Sequence, residues 1–162
     1  MTVHPIELDR PTADFTQGPA MDEDDLLAAL NVGWTAVDPK ADLLVTGEMG
    51  IGNTTAAAAI AHALYGGQPE DWVGRGTGVD DAGLQLKAQV VKEGVARNSG
   101  GDGLDALGGL SGREIAAMAG AILSARVHGL PACLDGFTLG SASVSLPTIS
   151  LDTNHGGRGR AV

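Results

Sequence analysis

Residues 41–65, ADLLVTGEMGIGNTTAAAAIAHALY, decide the fold. Residues 41–46 are a short apolar run, which suits a strand buried on both faces of a parallel sheet. The run passes directly into Gly47-Glu48-Met49-Gly50-Ile51-Gly52-Asn53-Thr54-Thr55. Residues 56–64 are then dense in alanine, the strongest helix former, and Gly66-Gly67 fits a C-terminal stop. A buried strand, a glycine loop and a helix in that order make the opening half of an α/β unit.

Outward from this stretch the pattern continues. Residues 1–20 hold Pro5, Pro11, Gly18 and Pro19 without periodicity and read as an irregular lead-in. The acidic run from Asp22 to Asp25 ahead of Leu26, Leu27, Leu30 and Val32 predicts a helix over 21–36, with negative charge at its positive dipole end. A second glycine cluster, Gly74-Arg75-Gly76-Thr77-Gly78, precedes a helix expected over 80–98, capped by Asp80-Asp81 and carrying Leu84, Leu86, Val90, Val91 and Val95. Residues 99–109, SGGDGLDALGG, read as a surface loop. Ile115, Met118, Ala119, Ile122 and Leu123 recur at helical spacing and predict a helix over 113–127. Residues 131–134 read as the next buried strand, with Asp135 at its end and Cys133 as a buried, inert thiol.

Strands alternating with helices predict an α/β fold, Rossmann-like and three-layered, with a mainly parallel sheet flanked by helices. The expected divisions are a lead-in at 1–20, a nucleotide-binding core at 21–137 and a divergent tail at 138–162. Ligands of such folds bind beyond the carboxyl ends of the strands, where both Glu48 and Asp135 fall.

Composition narrows the partners. The net charge of −10, with 3% aromatic residues, disfavours nucleic acid, whose phosphates such a surface repels and whose bases it offers little to stack on. A single cysteine excludes an intrachain disulfide and a multi-thiolate metal site. His4, His62, His128 and His155 have no metal-ligand spacing and are assigned no role. No apolar run reaches the ~20 residues of a membrane span, and the first ten residues lack a signal-peptide core. A soluble, cytoplasmic protein is the resulting expectation.

The loop carries the chemistry. Residues 47–54 fit G-x-x-x-x-G-N-T, which departs from the nucleotide-triphosphate P-loop where Asn53 replaces its lysine. That loss removes the charge on the outer phosphates and disfavours an ATP-binding reading. What remains, glycines followed by a helix start, suits a single phosphate, although a tight turn using glycine only for positive φ is the structural alternative. Glu48 would repel a phosphate but would suit a ligand carrying a cationic or cation-forming centre beside it.

GEMGIGNTT, VGRGTGVDD (73–81) with Lys87 beyond it, GGLSGREIAAMAGAIL (108–123) and LDGF (134–137) occur in the order typical of nicotinate-nucleotide:dimethylbenzimidazole phosphoribosyltransferases. ADFTQGPAM (13–21) also resembles a family stretch, so the resemblance spans about residues 12–137. It implies transfer of phosphoribose from nicotinate mononucleotide to dimethylbenzimidazole with inversion at the anomeric carbon, in cobalamin assembly, without a cofactor. It further implies a homodimer, in which the helix at 113–127 is a candidate interface element. Carried over by position, Glu48 resembles the family's loop glutamate near ribose and base. Gly50, Gly52, Asn53 and Thr54 resemble the phosphate loop, and Gly76, Thr77 and Gly78 a second loop facing the nucleotide. Lys87 resembles the lysine that pairs with the phosphate, and Asp135 a carboxylate at the rim of the active site. Without the resemblance, Lys87 reads as a solvated helix-face residue, Asp135-Gly136 as a turn, and Arg75 as either a phosphate partner or an exposed loop residue.

Family chains are longer. Their general-base glutamate lies in a Gly-Glu-Gly-Thr-Gly-type motif that these residues lack, since no glutamate follows Glu114. General-base catalysis contributes about 10²–10⁴-fold. Residues 138–162 read as a tail without helical periodicity, from a truncated or frame-altered terminus. A catalytic transferase and a non-catalytic nucleotide-monophosphate-binding paralogue are therefore both open.

Overall fold

The computed structural model describes residues 1–76, 78–98 and 101–146. In chain order the elements are α1 (Glu23–Ala36), β1 (Leu44–Val45), α2 (Asn53–Tyr65), α3 (Pro69–Trp72), α4 (Asp81–Asn98), α5 (Gly103–Leu110), α6 (Arg113–His128), β2 (Ala132–Cys133) and α7 (Phe137–Val144). β1 and β2 pair in parallel, Leu44 with Ala132 and Val45 with Cys133.

α2 and α6 both contribute to the core, and α7 packs against each of them. Ala57–Ala61 of α2 is buried almost completely, and so are Ile115, Ala116 and Ala119 of α6. Alanine faces let helix backbones approach closely, and glycine takes this further between α1 and α6. A methyl group on Gly33 would lie 1.7 Å from the Ala117 carbonyl oxygen, and one on Gly120 would lie 2.0 Å from that of Leu30. With Ala116–Ala121 packed inside the chain, the central part of α6 is not an available dimer surface.

Residues 1–21 form neither helix nor strand, yet from Arg10 onward they are tied to the rest of the chain. Buried Arg113 donates to the Arg10 carbonyl oxygen at 2.6 Å and to Asp25 at 3.1 Å, and Arg10 also grips Asp25 with both terminal nitrogens. Asn98 donates to the Phe15 carbonyl oxygen at 2.7 Å, and the amides of Ala20 and Met21 donate to the carbonyls of Gly109 and Gly108. The hydrogen bond from Arg10, opposed by desolvation and supported by its charge and that of Arg113, holds the Asp25 carboxyl below its ordinary pKa.

Four expectations need correction. Residues 103–110, expected as loop, form α5: the Asp102 carboxylate accepts from Leu104 and Asp105, and Leu107 and Leu110 bury one face. The glycines obscured a capped amphipathic helix. The stretch after Phe137 also folds as helix: α7 inserts Leu139 and Ala142 into the core, and Ser141 donates to the Ala57 carbonyl oxygen at 3.1 Å. The strands expected to be buried are short and open, with Leu43 and Val45 53% and 67% exposed, because nothing among the described residues covers that part of the sheet. Cys133 is consequently exposed rather than buried. The architecture is therefore mostly helical with a small parallel sheet.

Two outcomes follow. Gly33→Ala should overpack the α1–α6 contact, costing about 1–3 kcal/mol and lowering the melting temperature by several degrees, whereas Gly18→Ala, with open space around it, should change it little. Because the Asp25 pKa is lowered on folding, its contribution is complete above the unfolded value near ~3.9 and is lost as pH falls through the folded value. The difference in denaturation midpoint between wild type and Asp25→Asn should hold constant above about pH 5 and shrink below about pH 4.

Candidate functional site

Parallel pairing puts the carboxyl ends of β1 and β2 on the same side. There, Thr46, Gly47 and Glu48 after β1 face Asp135, Gly136 and the first residues of α7 across a cavity of about 230 Å³, with Met118 of α6 as part of its wall. Glu48 and Asp135, distant in sequence, are thus brought to one cavity. The volume is below the roughly 300–1,000 Å³ typical of pockets for whole small-molecule ligands, so it suits part of a nucleotide. The Thr46 hydroxyl is buried and has no hydrogen-bond partner among the described residues. Left unpaired, such a group costs about 1–3 kcal/mol, and a ligand hydroxyl would relieve it.

Glu48 turns back into its own loop. Its Oε2 accepts from the Gly50 amide and from Asn53 Nδ2, each at 2.6 Å. Asn53 therefore orients the carboxylate in place of the lysine that a triphosphate loop would carry. The amides of Asn53 and Thr55 donate to carbonyls within the loop, while those of Ile51, Gly52 and Thr54 donate to nothing among the described residues. The loop is not folded shut.

Its glycines do different work. Gly52 has φ +84° and caps α2, so a side chain there would be strained. Gly50 is needed for close approach: a methyl group on it would lie 2.6 Å from Asn53 Nδ2 and 2.7 Å from Glu114 Oε1. Gly52 thus serves the turn, and Gly50 makes room for the side chains of Asn53 and Glu114.

Lys87 of α4 reaches the first turn of α2, where Nζ donates to Thr54 Oγ1 at 3.3 Å. A methyl group on Gly76 would lie 3.7 Å from the same Nζ, so the second glycine cluster borders this cation. Gly78 follows with φ +90°, and Thr77 lies outside the described residues. Arg75 pairs with Asp81, and Asp80 caps α4 by accepting from the Gly83 amide at 2.9 Å. Lys87 is not among the residues lining the cavity of Glu48 and Asp135, so the site has a cationic side at α2 and an anionic side at the strand ends.

The reading from sequence missed Thr46, Met118 and Glu114. Thr46 passed as the end of a strand and Met118 as core. Nothing in the spacing of Glu114 reveals its approach to Gly50.

A family model described as phosphoribosyltransferase matches residues 1–155. The nicotinate-nucleotide–dimethylbenzimidazole phosphoribosyltransferase of Ruegeria sp. (strain TM1040) is 68% identical over 146 residues, which are 90% of this chain and 44% of that one. Its counterpart in Ruegeria pomeroyi is 65% identical over 93% of this chain and 45% of its own length. The chain belongs to the nicotinate-nucleotide–dimethylbenzimidazole phosphoribosyltransferase family. The crystal structure of CobT from Thermus thermophilus superposes with a TM-score of 0.76 at 42% identity, over 86% of this chain and 43% of that chain. The family match runs past Phe137, where the resemblance read from sequence ended, and takes in all of α7. The chain spans less than half the length of the curated relatives it matches.

The geometry of the loop is testable without a ligand. A hydrogen bond to a charged group contributes about 1.5–3 kcal/mol. Glu48→Ala should therefore speed hydrogen exchange of the Gly50 amide on the order of tenfold or more, with Thr54 unchanged, as read by amide exchange in nuclear magnetic resonance.

Proposed function

We propose that these residues form the nucleotide-binding part of a phosphoribosyltransferase that moves phosphoribose from nicotinate mononucleotide to dimethylbenzimidazole, giving α-ribazole phosphate and nicotinate. The bond from the pyridinium nitrogen to the anomeric carbon breaks, the benzimidazole nitrogen bonds to that carbon from the opposite face, and the benzimidazole proton leaves to a base. The observation carrying this reading is the opposed polarity of the site: Lys87 at Thr54 on one side, the Glu48 carboxylate with Asp135 on the other. A nucleotide whose phosphate is anionic and whose ribosyl carbon becomes cationic as the bond breaks matches both sides.

In this reading the phosphate lies at the open amides of Gly52 and Thr54, with Asn53 holding the loop and Lys87 supplying charge. The glycines around Gly76 and Gly78, with Thr77 between them, border the same phosphate. Glu48 and Asp135 face ribose and base, and the unpaired Thr46 hydroxyl meets a ribose hydroxyl. The proton acceptor belongs to a part of the family's length that this chain does not span. A second reading is a module that binds a nucleotide monophosphate and does not turn over by itself.

The open sheet supports a Rossmann-like, three-layer arrangement in which further strands continue β1 and β2. A homodimer and a cytoplasmic location complete the proposal on the strength of the family. Among the described residues no helix is long and apolar enough to cross a membrane.

Isothermal titration with nicotinate mononucleotide tests the reading. Wild type should bind, and Lys87→Ala should weaken binding about 10–100-fold, in line with a lost charge-assisted hydrogen bond of ~1.5–3 kcal/mol. No binding at millimolar ligand would contradict it. Formation of α-ribazole phosphate by the chain alone would favour the transferase over the binding module.

A further inference from the structure

α7 begins at the cavity without a cap. Its N-cap residue is Gly136, which has no side chain to offer, and its first turn carries no acid. The Gly140 amide donates to the Gly136 carbonyl oxygen, while the amides of Phe137, Thr138 and Leu139 donate to nothing among the described residues. All three residues line the cavity that Glu48 and Asp135 share. A helix start of this kind presents unsatisfied donors and a partial positive charge.

The side chains of the cavity add a second, independent sign of a ligand. Thr138 is only 7% exposed, yet it lines the cavity and its hydroxyl makes no hydrogen bond among the described residues. Across from it the Thr46 hydroxyl is buried and equally unpaired. Buried hydroxyls are normally paired, so two on one small space call for a polar partner from outside the chain. Acceptors stand beside these donors: Glu48 uses Oε2 for Gly50 and Asn53, and neither its Oε1 nor the Asp135 carboxylate has a partner among the described residues.

This mixture selects the chemistry of the occupant. The two carboxylates would repel a phosphoryl group, and a bare cation would face the positive end of α7. A hydroxyl answers both kinds of group, since it donates to a carboxylate and accepts from an amide or a threonine. Resting on the function proposed above, we propose that the start of α7, with Thr138 and Thr46, is a diol site that holds the ribose hydroxyls of the nucleotide. Thr138 is then a specificity-determining residue for ribose over deoxyribose, a task separate from the phosphate contacts at Thr54 and Lys87.

Titrations of the full chain with nicotinate mononucleotide and with its 2′-deoxy and 3′-deoxy analogues, which keep phosphate and base, test this. Wild type should prefer the ribonucleotide to at least one analogue by about tenfold or more, because a site built for a hydroxyl rejects a ligand that leaves its groups unpaired. T138V, which keeps the shape, should lower that preference about three- to tenfold by weakening the ribonucleotide alone, and T138S should restore it. T138A, read in the same way, serves if T138V does not fold. Equal binding of all three ligands by wild type overturns the diol site and leaves the nucleotide reading standing. A preference unchanged in T138V, or an equal loss for every ligand, overturns the role of Thr138. A wild type that binds none of them overturns the site and the proposed function together.

Discussion

The approach of α1 and α6 at Gly33 and Gly120, where backbone meets backbone with no room for a methyl group, is the constraint on which the rest depends. It seats α6 deep in the molecule. From there α6 presents Arg113 to the lead-in, Met118 to the cavity and Glu114 to the loop. A helix held at one depth by its neighbour's carbonyls has little freedom to shift, so the loop above it rests on a rigid floor. Small residues supply much of the precision: the buried part of α2 is alanine except for Ile60, and α7 packs onto it with Leu139 and Ala142.

Against that floor the loop is held by its own acid. Glu48, Gly50 and Asn53 close a small hydrogen-bonded ring, the amides of Ile51, Gly52 and Thr54 stay unengaged, and Lys87 donates to the Thr54 hydroxyl beside them. This arrangement explains why asparagine can stand where a triphosphate loop has lysine. The positive charge arrives from α4 instead, and the asparagine is used to aim a carboxylate. Site polarity is thus divided between elements far apart in sequence.

The parts legible in the sequence are those whose signal is local. The acidic start of α1, the alanine run of α2 and the periodicity of α6 each state their own structure, and the uncommon loop motifs state the family. What sequence hid was set by contacts between distant segments. The glycines of α5 read as loop because a cap at Asp102 and two buried leucines are weaker signals than five glycines in eleven residues. In α7, serine and glycine masked a helix stabilised by packing on α2. Residues 41–46 and 131–134 have the apolar character of buried strands, yet the sheet they form is open, in a chain that spans under half the length of its relatives. Glu114 was invisible for the same reason: its neighbour Gly50 lies on another element.

The central claim is that the open amides at the start of α2 receive a phosphate while carboxylates face the other end of the same ligand. Mapping amide chemical-shift changes during addition of nicotinate mononucleotide tests it most directly. The account predicts the largest changes at Ile51, Gly52 and Thr54 and in the turn around Gly76, with smaller ones at Thr46 and Asp135. Changes confined to α1 and the part of α6 packed against it, or a spectrum that does not respond, would contradict it.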